Sequence, residues 1–277
     1  MTTTDAVTSR TTRPPIAWKR APLGRTGIAQ MAAAWVLATG VLTLVGLAIV
    51  RWWEGSAFGD ADADLSRWLE DHRTERLTAI SERMSMSSDT LTKVILGVVL
   101  IPVFLWLFRR WHEYAVIFGG LVLEVCVYGV SARLVGRDRP PVEQLDGSPT
   151  GISFPSGHIA AATVFYGGLA VIVFMQTRRR GPRAIAAVVA VAMPLAVTWG
   201  RLYLGMHYLS DAVAGILLGV FVLAVTRHAV LRTLPPDESP ELHDAGRAHP
   251  PGFLADARDD DDVPVAGLHP VDDRGAR

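Results

Sequence analysis

Two separated stretches of this 277-residue chain gather side chains that can do chemistry on an anion. One reads Gly136-Arg137-Asp138-Arg139-Pro140-Pro141 and closes with Pro155-Ser156-Gly157-His158; the other runs from Gly200-Arg201 to His207-Tyr208-Leu209-Ser210-Asp211. Arg139 and Arg201 can each grip two oxygens of a phosphate through the guanidinium fork. Ser156 can cap the helix that begins after it, and Gly157 leaves bare backbone N–H groups at that helix's positive end for an oxyanion to approach. His207 and Asp211 are four apart, so on a helix they share a face. The carboxylate can hold one ring N–H and leave the other nitrogen as a nucleophile. His158 is then available to protonate a leaving oxygen. Together these groups can transfer a phosphoryl group without a metal or a cofactor. Singly each has a plainer use: a His-x-x-x-Asp pair is more often structural, a Pro-Ser-Gly turn is usually only a cap, and arginines near membrane surfaces often snorkel to headgroups. Their gathering on one side of the molecule is what favours the joint reading.

That gathering depends on the rest of the chain. Half of the residues are hydrophobic and 19% are charged. The apolar residues fall in long blocks rather than in amphipathic stripes, the pattern of helices that face lipid. Residues 1–27 read as a flexible basic cytoplasmic tail and residues 233–277, with the run Asp259–Asp262, as a disordered cytoplasmic tail. Between them, residues 28–232 read as an all-α, polytopic, six-transmembrane-helix bundle. Its spans are expected at about 28–50, 90–108, 114–135, 158–175, 184–200 and 211–231. Arg10, Arg13, Lys19, Arg20 and Arg25, then Arg109 and Arg110, Arg178–Arg180 and Arg183, and finally Arg227 and Arg232 all fall on one face, which the positive-inside rule makes cytoplasmic. Both reactive stretches then face outward and can converge. The first outward connection carries Leu65, Trp68, Leu69, Leu77 and Ile80 at helical spacing. It fits equally a headgroup-plane helix or a cap on the outer ends of the bundle. Lys+Arg and Asp+Glu are both 27, so net charge gives no reason to expect a nucleic-acid partner. The single cysteine, Cys126, excludes an intramolecular disulfide and reads as a small buried hydrophobe. Glu124, at mid-depth of the third span, is expected to face the bundle interior.

The two stretches resemble the three-part signature of the type 2 phosphatidic acid phosphatase superfamily: Lys-x6-Arg-Pro, Pro-Ser-Gly-His and Ser-Arg-x5-His-x3-Asp. The likeness covers about residues 64–231. It implies a membrane lipid phosphatase in which His207 becomes phosphorylated, Asp211 orients it and His158 serves as acid and then base. It also implies that Arg139, Arg201, Ser156 and Gly157 hold the phosphate. The implied partner is a lipid phosphate in the bacterial inner membrane, met on the non-cytoplasmic face. Phosphatidic acid, phosphatidylglycerol phosphate and polyprenyl mono- or pyrophosphates are the candidate lipids. Two positions depart from the signature. Ala132 stands where it has lysine, and Gly200 where it has the serine before the second arginine. Losing one such phosphate-binding group costs about 2.7–4 kcal/mol, or about 10²–10³ in rate. Arg133 and Lys93 are the candidate replacement cations, followed by Arg137. Competing readings are a non-catalytic lipid-phosphate binder and a phosphotransferase using the same site. The related soluble vanadium haloperoxidases are disfavoured by the six spans, and a transporter by the lack of repeated halves. Oligomeric state is not readable from the sequence.

Overall fold

The computed structural model describes residues 23–53, 55–86, 99, 102, 103, 106, 111–146 and 151–233. Among them seven α-helices follow one another: α1 Arg25–Ala48, α2 Ala57–Asp71, α3 Glu75–Met86, α4 His112–Val135, α5 Gly157–Gln176, α6 Arg180–Tyr203 and α7 Leu209–Leu231. A π-helical stretch, Ile49–Trp53, prolongs α1. Five of these helices (α1 with its extension, α4, α5, α6 and α7) are long and apolar enough to cross a bilayer. The six-span expectation is thus met for five. The remaining span, about 90–108, falls almost wholly outside the described residues, as do both expected tails apart from their inner ends. The observed helices outrun their expected bounds by up to four residues, because charged residues such as Arg180 and Arg201 continue the helical hydrogen bonding beyond the apolar stretch.

Helix α5 is at the centre, packed against α4, α6 and α7. Small residues set the crossings. A Cβ added at Gly215 would come within 2.6 Å of the Ser156 carbonyl oxygen, and one at Gly219 within 2.5 Å of Thr163 Cβ. Backbones this close gain the dispersion contacts that hold helices together where lipid removes the hydrophobic drive between them. The core continues with Ala34 and Ala38 of α1 against Leu123, Val127, Ala160, Val164, Leu218 and Val222. Pro194 lies inside α6 and removes one ladder hydrogen bond, a loss tolerated in bundled spans. Glu124 is buried, as expected of an ionisable group at that depth. Cys126 instead is exposed on the outer face of α4, which corrects the expectation that it is buried. Its neighbours along the helix, Val122 and Val125, are exposed there too, so a soft apolar thiol fits a lipid-facing position.

Helices α2 and α3 resolve the alternative left open by the sequence. They pack onto the end of the bundle, α3 along α6 and α2 against α6 and α7. The Thr74 N–H donates to the Tyr203 hydroxyl at 2.8 Å, and Arg73 Nη2 donates to the Glu143 carbonyl at 2.8 Å. The pair is therefore a cap. Its buried face carries Asp62, Ser66, Leu69, Ser81 and Ser85.

Candidate active site

Three local structures bring the two reactive stretches together. Helix α4 stops at Gly136, whose φ of 61° is left-handed, and its N–H donates to the Ala132 carbonyl at 2.9 Å. Glycine takes that conformation without a Cβ penalty, so it turns the chain sharply across the bundle end. The following residues run beside the segment leading to α5: Asp138 and Ile152 form an antiparallel bridge, and Ser153 N donates to the Arg137 carbonyl at 2.8 Å. Finally, Ser156 N donates to the Asp211 carbonyl at 3.2 Å, and Leu145 N to the Leu204 carbonyl at 3.1 Å. Gly205, at φ 72°, lets the chain leave α6 close against the Glu143 carbonyl.

His207 lies in the short link before α7 and is buried. Its Nδ1 is 2.8 Å from the Ser153 carbonyl oxygen. A carbonyl can only accept, so Nδ1 carries the proton and Nε2 holds a free lone pair. Burial above all, then the nearby charges of Arg201 and His158, drive the imidazole pKa well below its ordinary 6.5; the Ser153 hydrogen bond pulls the other way, and Arg139 adds a smaller lowering. The ring is therefore neutral at neutral pH.

Asp211 takes part differently from what the sequence suggested. His207 and Asp211 do not share a helix face, because α7 begins only at Leu209. Asp211 occupies the third position of that helix, accepting the Tyr208 N–H at 2.8 Å in a capping box. Its carboxylate is 4.0 Å from His207 Nδ1, and is bound instead by the Ser153 hydroxyl and by Arg137 Nη1 at 2.6 Å. Ser153 thus links the two: its hydroxyl holds the acid and its carbonyl holds the imidazole.

Two residues near His207 carry buried polar atoms without a partner among the described residues. Arg139 is buried; its Nη1 donates to the thioether of Met206 at 3.2 Å, a weak acceptor, and its Nε has no acceptor among the described residues. Its pKa is lowered by burial and by Arg201, against opposite effects of Asp146 and Tyr128. Ser156 occupies the N-cap position of α5 but makes no side-chain cap bond, and its buried hydroxyl has no partner among the described residues. This corrects the capping expectation and leaves the hydroxyl open to a ligand. Arg201 is fully buried, bound to Asp146 and donating from Nη1 to Ser85 Oγ at 2.9 Å. His158 opens α5, half-buried and near enough to act on the charge of His207. The Tyr128 ring covers Gly157 so closely that a Cβ there would be 3.1 Å from it.

The two proposed replacement cations fare unequally. Arg133 is exposed and turned back along α4, with Nη1 donating to the Gly129 carbonyl at 2.6 Å, so it does not reach the site. The roughly 100° that separates neighbouring helical residues accounts for this. Lys93 lies outside the described residues. Arg137 does enter the cluster, buried and paired with both Asp211 and Asp62, with its guanidinium 4.1 Å from the Tyr208 ring centroid. Asp62, Ser85, Asp146 and Ser153 were not singled out from the sequence. Asp62 had left a sign, an acid on the same helical face as Leu65 and Leu69; the others had none.

Residues 113–234 match the family model described as the PAP2 superfamily, a region that holds every group just described except Asp62 and Ser85. The chain is also similar to the decaprenylphosphoryl-5-phosphoribose phosphatase of Mycobacterium tuberculosis, found in two strains. The likeness is 29% identity over 138 residues, 49% of this chain and 68% of that protein. Among solved structures, the fold resembles that of a transmembrane PAP2-type phosphatidylglycerolphosphate phosphatase from Bacillus subtilis. The TM-score is 0.59 at 20% identity, covering 69% of this chain and 94% of that one.

Proposed function

We propose that this chain is a PAP2-type membrane lipid phosphatase that works through a phosphohistidine. The observation that carries the mechanism is the neutral His207, with Nδ1–H spent on the Ser153 carbonyl and Nε2 left nucleophilic. Arg139, Arg201, the Ser156 hydroxyl and the N-terminus of α5 would take the phosphate oxygens. Nε2 attacks phosphorus, the P–N bond forms, the P–O bond to the lipid breaks, and His158 gives its proton to the leaving oxygen. His158 then takes a proton from water, whose oxygen attacks phosphorus; the P–N bond breaks and inorganic phosphate leaves. Asp211 acts through Ser153 as a positioning residue.

The substrate class follows from the setting and the relatives. Helices of bilayer length end at the site, so the phosphate should be borne on an amphiphile whose tail stays in the membrane. The named relatives act on phosphates of this kind, one polyprenyl-linked and one glycerolipid. We place the site on the non-cytoplasmic face of the plasma membrane, on the strength of the basic connections at the opposite end. The test is phosphate release by the full chain in detergent, with EDTA present. The panel comprises phosphatidic acid, phosphatidylglycerol phosphate, polyprenyl phosphate and pyrophosphate, and a polyprenylphosphoryl phosphoribose. Release from at least one member supports the reading; release from none defeats it.

The low pKa of His207 has a pH consequence. Neutral imidazole is the attacking form, so kcat/KM should hold as pH falls through 6.5 and drop only at the lower folded value. In the unfolded chain the same ring takes up its proton near 6.5. The stability tied to His207 is thus fully present above that pH and is lost as pH falls toward the folded value. A pH–rate profile whose acid limb moves with His207 and sits above 6.5 would contradict this.

A further inference from the structure

Helix α3 lies unusually close to the residue before Arg201. A Cβ on Gly200 would be 2.8 Å from the Ser81 carbonyl oxygen and 3.3 Å from the Ser85 nitrogen. Both are backbone atoms of a helix and cannot step aside cheaply, so position 200 has no room for a side chain. The hydroxyl that the signature would place there is absent, yet Arg201 does not lack one. Its Nη1 donates to Ser85 Oγ at 2.9 Å, and Ser85 is 3% exposed. Arg201 Nη1 also meets Asp146, so one guanidinium nitrogen is held by both the cap and the 140–146 loop.

We propose that Ser85 is a positioning residue for Arg201, which makes the α2–α3 cap a working wall of the phosphate site rather than a cover over it. The proposal rests on the reading of Arg201 as a phosphate ligand. Three further ties hold the wall in place: Arg73 Nε to the Tyr203 carbonyl at 3.3 Å, Thr74 N to the Tyr203 hydroxyl, and Ser210 to Asp62. Arg201, Tyr203 and Ser210 all belong to the second reactive stretch, so the cap is fastened to the segment it serves. A neutral acceptor suits the task. It fixes one guanidinium N–H and adds no negative charge to that already supplied by Asp146.

Ser81 supplies the control. It is fully buried on the same helix against the same glycine, and its hydroxyl makes no hydrogen bond among the described residues. Ser81→Ala and Ser85→Ala therefore disturb the packing of α3 alike but differ in their effect on Arg201. The probe is inorganic orthovanadate, a phosphate mimic, titrated onto the full chain in detergent, with thermal midpoints recorded alongside. Ser85→Ala should weaken vanadate binding by roughly tenfold, the worth of one hydrogen bond to a charged group, while Ser81→Ala leaves it unchanged. Gly200→Ser, although it restores the signature residue, should also weaken binding, because the new side chain pushes α3 away. Equal losses in the two alanine variants, no loss in Ser85→Ala, or tighter binding in Gly200→Ser would each overturn the proposal. A wild-type chain that binds no vanadate would instead defeat the reading of the phosphate site itself, and with it the functional proposal.

Discussion

Replacing His207 by alanine should reduce phosphate release from the preferred lipid by on the order of 10⁴–10⁶-fold, because removal of a nucleophile leaves only binding and electrostatic stabilisation. The loss should appear in kcat, with KM little changed, and should be the same with and without EDTA. The structure also orders the neighbouring variants. Asp211 is 4.0 Å from Nδ1 and reaches the imidazole only through Ser153, whose carbonyl sets the tautomer. Asp211→Asn should therefore cost far less than His207→Ala, roughly 10–10²-fold, the scale of one weakened hydrogen bond to a charged group. The check is single-turnover labelling with a lipid carrying radioactive phosphate. Asp211→Asn should still form an acid-labile phosphoprotein, and His207→Ala should form none. Equal losses in the two variants would mean that the carboxylate holds the ring directly during turnover.

The second large effect concerns stability. Arg137 is buried between two buried carboxylates, with Nη1 2.6 Å from Asp211 and Nη2 3.4 Å from Asp62. A paired charge in such a place contributes little net, since desolvation offsets the attraction. Removing one partner is costly, about 3–5 kcal/mol, because the remaining charges stay buried. Arg137→Met should lower the unfolding free energy in mixed micelles by about that much. It should also expose α2 to protease, because the Arg137–Asp62 tie is lost. Asp62→Asn should cost less, as Asp211 still neutralises the guanidinium. A loss under about 1 kcal/mol for Arg137→Met would indicate an ion pair that behaves as though it were on the surface.

What could be read from the sequence, and what could not, divides along physical lines. The apolar blocks announced the five described spans within a few residues, since the length and composition of a membrane helix are imposed by the bilayer rather than by partners. The Pro155-Ser156-Gly157 turn that leads into α5 was legible too, because its backbone preferences are local. The contacts that define the site were not legible. Ser153 matters through its carbonyl, which every residue has. Ser85 and Asp62 come from the cap, more than a hundred residues before Arg201 and Ser210, and a single sequence gives no register between α3 and α6. The helical reading of His207 and Asp211 went astray for a related reason: spacing of four implies one face only where a helix exists, and Gly205 ends α6 before His207. Arg133 was placed near the site by its number, whereas its turn along α4 points it outward.

The glycine crossing of α5 and α7 bears on how the enzyme meets its own lipid. His158 is the second residue of one of these helices and His207 lies two residues before the other, and the two backbones approach closely at Gly215 and Gly219. A bilayer that thins or thickens is accommodated by helices that tilt. Two helices locked at such short range tilt as one body. The gap between the proposed nucleophile, His207, and the proposed proton donor, His158, should then be set by van der Waals contact inside the pair and be insensitive to the surrounding lipid composition.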